Sequence, residues 1–446
     1  MKNITKKRMN RRVGSVLAAF AFLVLGFQNC TPFSLGTVSQ NAVSETEDPT
    51  DPVEPLTQDI AKVLITTENA APVNSKDTYV NGRLQILPDG TASTNAFDAE
   101  MKIKGRGNFT WTLEKKPYKI KLNTKASVMG LPADKEWILL ANHVDRTLFR
   151  TTLAYEFSRR LGTEYVPRAR NVEVNLNGED IGTYILTEQI KVSASRVNIT
   201  EMAATDISGE ALTGGYLLEL DERMDETNVW RTTRGVPYAI KEPSEATTEQ
   251  VDYIKNHLQM IEDVLNSDDF ADPVNGYAKY IDVDSFINLY LVHELFKNKD
   301  AANFSSIFLF KDRNGKLKMG PPWDFDLAGG NSDVASINDP VGWHLRTGSP
   351  WYSRLFQDPA FEAKVRAKWN AMKTSQIDTL QTYIDDQAYR LALSQVRNFT
   401  IWPILSYAFF PASVVPGSYA GEVAQLKTWL QNRVTWMDAQ FNPPTM

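Results

Sequence analysis

The chain has 446 residues, 42% hydrophobic and 23% charged, with a formal net charge of −6. Those proportions are ordinary for a soluble globular protein, and the length allows two to three domain-sized units. A single cysteine excludes a disulfide framework and a cysteine metal cluster, and the four histidines (His143, His257, His293, His344) lack HExxH-like spacing, which argues against zinc chemistry.

The N-terminal stretch MKNITKKRMNRR is basic, and VGSVLAAFAFLVLGF is an apolar run of about 15 residues, right for a signal-peptide core and short for a spanning helix. Residues 1–29 therefore read as an export signal. Cys30 follows directly, in GFQNC, where a thiol would accept the diacylglyceryl group of a bacterial lipoprotein. Phe27 and Asn29 stand where such signals usually carry Leu and a small residue, so an ordinary cleaved leader is the alternative. Either way the expected address is the cell envelope, with a membrane contact through the lipid if Cys30 is acylated. Without the six basic residues of the leader, 42 basic residues face 54 acidic ones, a formal balance of −12. Such a surface is a poor partner for nucleic acid.

Residues 30–58 are rich in Ser, Thr, Pro and acids and cannot bury a core, so they read as a flexible tether, with residues 59–442 as one multi-lobed domain. AKVLITT, RLQIL, AEMKIKG and YKIKL are short strand-forming runs between turn signals. Asp145 and Gly162 bracket an amphipathic helix. Asn177-Gly178 turns a hairpin between NVEVNL and the strand ending YILTE. Beyond it DVDSFINLYLVHELFK has helical spacing, and Val423, Leu426, Leu430, Val434, Met437 and Phe441 form one stripe of a closing helix. The pattern predicts an α+β protein with a β-rich N-lobe, a mainly helical C-lobe and a cleft between them.

Two segments carry chemistry-bearing residues. KNKDAANFSSIFLFKDRNGKLKMGPPWDFD reads as loop, strand, Asn314-Gly315 turn and strand, with Asp300 and Asn303 before the hairpin and Asp324 and Asp326 after it. A hairpin returns the chain, so both acidic loops open onto one cleft, as the catalytic and metal-binding loops of protein kinases do; a solvated surface loop is the bland alternative. In KKPYKIKL, Tyr118, Ile120 and Leu122 share one strand face and place Lys119 and Lys121 on the other. Glu156 projects from the apolar stripe of the first helix, where an inward acid needs a cation, and a strand lysine would serve. Glu294 is a second inward acid. In KGRGNFTW, Gly105 and Gly107 flank Arg106, either as backbone donors around a phosphate or as a tight structural turn.

Together KGRGNFTW, KKPYKIKL, VEVNLNGEDIGTYILTEQIK, GGYLLELDE and the WDFD segment resemble the CotH kinase family, secreted or surface proteins with an atypical, minimised two-lobed protein-kinase fold. The resemblance implies transfer of the ATP γ-phosphate, with Mg2+ or Mn2+, to Ser or Thr of an exported protein. It assigns Asp300 the catalytic-aspartate role, Asp324 the metal and Asp326 the second acid. Lys121 would bind phosphate with Arg106 nearby, Glu156 would pair with the lysine, and Glu188 would sit beside the adenine. Asn303 would complete the metal site, although it lies closer to Asp300 than kinase spacing expects. A catalytically silent surface or envelope-assembly protein on the same fold is the competing reading, and a carboxylate-based glycan hydrolase a weaker third.

Overall fold

The computed structural model describes residues 59–89, 95–302 and 305–444. The expected leader, Cys30, the tether and Asn303 lie outside the described residues.

Seven strands close a barrel: β1 (Lys62–Thr67), β2 (Val80–Leu87), β3 (Phe97–Gly105), β4 (Tyr118–Ala126), β5 (Asp134–Leu140), β6 (Ala169–Leu176) and β7 (Glu179–Glu188). Their order is β1-β2-β3-β4-β5-β7-β6, and β1 closes the ring by pairing in parallel with β6, Val63 opposite Val174. Alternate residues point inward, among them Val63, Ile65, Met101, Ile103, Ile120, Leu122 and Trp137, which fill the interior. Period-two alternation therefore decides which side of each strand is left for charged groups. The β6–β7 turn carries Asn177 at φ 54° and Gly178 at φ 90°, the left-handed pair a two-residue hairpin needs.

The first helix runs from Arg150 to Arg160. Asp145 acts at its start from a distance: its carboxylate accepts the backbone N–H groups of Thr147 (3.0 Å) and Arg150 (2.8 Å), and the Arg150 guanidinium at 2.6 Å. Gly162, at φ 79°, follows its end.

A second sheet has the order β12-β11-β8-β10-β9, built from β8 (Tyr216–Leu220), β9 (Val229–Arg231), β10 (Pro237–Glu242), β11 (Ile307–Lys311) and β12 (Lys318–Met319). Strands β8 and β11 are buried along their whole length, the signature of a strand covered on both faces. Helices Thr248–Leu265, Val283–Leu295, Pro359–Met372 and Tyr419–Phe441 contribute buried apolar residues to the larger core with this sheet. Asp282 caps the Val283–Leu295 helix by accepting the Ser285 N–H at 2.9 Å. All six residues of the closing helix's expected stripe are buried. The protein is thus α+β, with a β-rich first part and a helical C-terminal part; strand structure continues to Met319, further along the chain than a simple division into halves predicts.

Candidate functional site

The loops after β3, β7 and β8 and those around β11 and β12 surround a cavity of about 490 Å³, lined among others by Arg106, Lys241, Asp300, Ser306, Asp324 and Asp326. The aromatic residues of the WDFD segment explain why its acids face this space. Phe325 is fully buried, stacked on His293 with ring centroids 5.0 Å apart and edge-on to Phe296. With Phe325 anchored in the core, Asp324 and Asp326 on either side are held at the cavity wall. Asp324 has φ 64°, unusual for a residue with a side chain.

Asn298 holds that backbone in place. Its side-chain amide donates to the Asp324 carbonyl at 2.9 Å and faces His293 Nδ1 at 3.3 Å, while its side-chain oxygen accepts the Asp300 N–H at 3.2 Å. One buried amide therefore ties the segment before the hairpin to the segment after it. Ser306 Oγ donates to Asp324 Oδ2 at 3.1 Å. Glu294 is buried, as expected of an inward acid, and accepts the backbone N–H groups of His344 (2.7 Å) and Arg346 (2.9 Å) and the Arg433 guanidinium (2.7 Å).

Burial and the crowding of carboxyl groups around one cavity raise the proton affinity of two of them, Asp300 and Asp326. Burial first, then the neighbouring Asp324, pushes Asp300 up to about 7. Burial also pushes Asp326 well above the usual carboxylate range, with Asp324, Asp300 and Asp145 adding to it. Arg106 faces Asp324 and Asp326, while Lys299 and Arg223 act on Asp300; the Arg106 guanidinium lies 5.6 Å from the Trp323 ring centroid, and burial holds its proton affinity below the ordinary value. Such a set suits a hard divalent cation, because oxygen donors that otherwise take up protons are neutralised by the ion instead.

A tighter acidic group lies on the adjoining wall, where Glu219, Asp221 and Glu226 have oxygens within 4.8 Å of one another. It already has a cation: the Lys241 ammonium lies 3.1 Å from Glu219 and also bonds Glu226. Asp300, Asp324 and Asp326 do not close that tightly. Their spacing fits an ion held by one or two carboxylates together with ligand oxygens, the habit of Mg2+, better than an all-protein cage.

The sequence-predicted residues divide clearly. Asp300, Asp324, Asp326 and Arg106 come together at the cavity. The expected Lys121–Glu156 pair does not form. Glu156 bonds Arg160 at 2.9 Å and Arg159 at 3.1 Å, its own helix supplying cations one turn on, so it needs no strand lysine. Lys121 is 42% exposed and lies 3.7 Å from Glu136 of β5, outside the cavity lining. Lys119, its neighbour on the same strand face, is closer to that acid at 3.2 Å. Glu188 is fully buried and engaged by Arg168 (2.7 Å) and Tyr165 (3.2 Å); Gln189 and Ile190, the next two residues, line the cavity in its stead. The glycines of KGRGNFTW serve the turn. A Cβ on Gly105 would stand 2.3 Å from the Trp111 ring, and Gly107 has φ 81°.

Sequence reading passed over Asn298, Glu219 and Lys241; it placed Ser305 and Ser306 at the later positions of the catalytic loop without deciding which residue completes it. Glu219 left a usable signal, a lone charge in the otherwise apolar strand YLLEL, whereas Lys241 stands beside Glu242 at the end of PYAIKE. Asn298 left none, since its role depends on which backbone it meets.

A family model described as CotH kinase protein matches residues 103–437, three quarters of the chain. The chain belongs to the CotH kinase family. No curated protein matches it.

Proposed function

We propose that this member of the CotH kinase family is an exported protein kinase on a two-lobed, kinase-like fold, transferring the γ-phosphate of ATP to Ser or Thr of an envelope or secreted protein. The observation that carries the reading is the pairing of Asp300 and Asp324 across one cavity, joined through Asn298 and faced by Arg106. The leader and Cys30 support export and lipid anchoring.

In this reading Asp324 and Asp326 hold a Mg2+ or Mn2+ ion, which supplies positive charge to the phosphate oxygens when bound. Arg106 binds phosphate, the role first expected of Lys121. Asp300 accepts the hydrogen bond of the substrate hydroxyl, orients it, and takes its proton as the new O–P bond forms and the bond to the ADP oxygen breaks. A proton affinity near 7 suits a group with that task at neutral pH. Leu140 at the end of β5 and Gln189 and Ile190 just after β7 are uncharged lining residues, where a base would be received.

The test is label transfer from γ-labelled ATP with Mg2+ or Mn2+, alongside nucleotide titration of each variant. Asp300→Ala should lose transfer and keep nucleotide binding, whereas Asp324→Ala should lose metal-dependent binding as well. Wild-type transfer persisting in Asp300→Ala would refute the assignment. ATP binding without transfer to any exported protein would favour the silent surface protein.

A further inference from the structure

The outer face of the barrel beside the cavity carries an arrangement that the phosphotransfer reading leaves unused. Strands β3 and β4 pair with Lys102 opposite Lys121 and Lys104 opposite Lys119. Two consecutive like-charge pairs lie directly across an antiparallel ladder, where such pairs are destabilising. The block is flanked by Tyr79, whose ring lies 4.8 Å from the Lys102 ammonium and 5.0 Å from that of Lys104. On the other side Glu136 is shared among Lys119, Lys121 and Lys191, at 3.2, 3.7 and 3.3 Å. Among the described residues, Lys102 and Lys104 have aromatic contacts and no ion pair. Glu100, two residues before Lys102 on the same strand, bounds the block at its far end.

The row continues into the cavity. Arg106 follows Lys104 at the same two-residue step and stands in the cavity wall beside Asp324. Lys102 and Lys104 are alternate residues of β3, about 7 Å apart along the strand, and Arg106 follows just past its end, its N–H donating to the Pro117 carbonyl at 3.2 Å. An extended peptide with acids at alternate positions matches that repeat, and its next residues lead toward Asp300.

We propose that the Lys102–Lys104–Lys119–Lys121 face is a docking track for an acidic, extended segment of the protein substrate, which enters the cavity past Arg106. The placement of the phosphoacceptor rests on the kinase reading, but the docking itself is measurable without phosphotransfer. The match is one of charge and spacing: of four cations in a two-by-two block, only Lys119 and Lys121 reach a carboxylate, Glu136, which Lys191 also engages, although the mature chain as a whole is acidic.

The experiment uses the full mature chain and a fluorescent peptide of alternating Glu and Thr, with anisotropy read at low and moderate salt in the absence of nucleotide. Lys102→Glu/Lys121→Glu should weaken binding at least tenfold. The charge-matched control Lys364→Glu/Arg366→Glu, on an exposed helical surface, should leave it within twofold. Equal loss in the two double variants means a net-charge effect and overturns the proposal. So does displacement of the peptide by ATP without metal, which would make the block part of the nucleotide site. Lysine-dependent binding of vesicles rich in anionic lipid, with no binding of peptide, would make the face a membrane contact instead. If the peptide docks as expected but no label is transferred, the kinase reading fails and the track stands. If label transfer to other acceptors is normal while the peptide ignores the lysines, the track fails alone.

Discussion

Replacing Asp300 with Asn keeps the shape of the side chain and removes its titration, so it isolates the electrostatic cost of the cavity. The folded chain holds the Asp300 proton up to about 7, against 3.8 for an unperturbed Asp, because burial and Asp324 both oppose its charge. The folded state therefore binds more protons than the unfolded state between those values. Stability falls as pH rises through that window and levels off above it. At 1.36 kcal/mol per pH unit the full penalty is about 4 kcal/mol, of which about 3 kcal/mol develops between pH 5 and pH 8. An unfolding entropy of roughly 2.1 cal/mol/K per residue over about 380 ordered residues makes this a fall of ~3 °C in Tm. The assay is calorimetry of wild type and Asp300→Asn in chelator across that range. Wild type should lose about 3 °C more than the variant, which keeps the dependence contributed by Asp326. Excess Mg2+ or Mn2+ should reverse the wild-type trend, since an ion that binds only ionised carboxylates stabilises more as pH rises. Identical pH slopes for the two proteins in chelator would refute the coupled-carboxylate account of this cavity.

Arg433→Met leaves the fully buried Glu294 without its guanidinium, and calorimetry should show a loss of about 3–5 kcal/mol, partly recovered when Glu294→Gln is added. Asn298→Leu unties Asp324 from Asp300; titration calorimetry should show metal–nucleotide affinity reduced about 10–100-fold, and unchanged affinity would remove Asn298 from the site's support. Gly330→Ala places a Cβ 2.5 Å from the Trp429 ring at φ 78°, so chemical denaturation should show at least about 1 kcal/mol lost. Under the proposed export and acylation, Cys30→Ser should move the protein from the detergent phase to the aqueous phase or leave it unprocessed, and equal partitioning of the two forms would dismiss the lipid anchor.

Local regularities were enough to read much of this protein. Alternation in KVLITT, FDAEMKIKG and YKIKL marks strands because a barrel wall has one wet and one dry side, and the 3.6-residue stripe of the closing helix marks its buried seam. The acids on either side of Phe325 were legible for a similar reason: a short aromatic-centred run after a tight turn can bury the ring only by displaying its neighbours. Closure of seven strands into a ring, by contrast, depends on β1 meeting β6 more than a hundred residues away, and no local pattern encodes that pairing. Ion-pair partners belong to the same class. Glu156 satisfied the pattern for an inward acid, yet Arg159 and Arg160 reach it at lower conformational cost than a lysine from another element. Lys119 and Lys121 were placed on one face by alternation alone, but their confrontation with Lys104 and Lys102 appeared only with the β3–β4 register. Sequence determined which side chains must leave the core; tertiary structure decided what each of them meets, because electrostatic partners are chosen by distance in space.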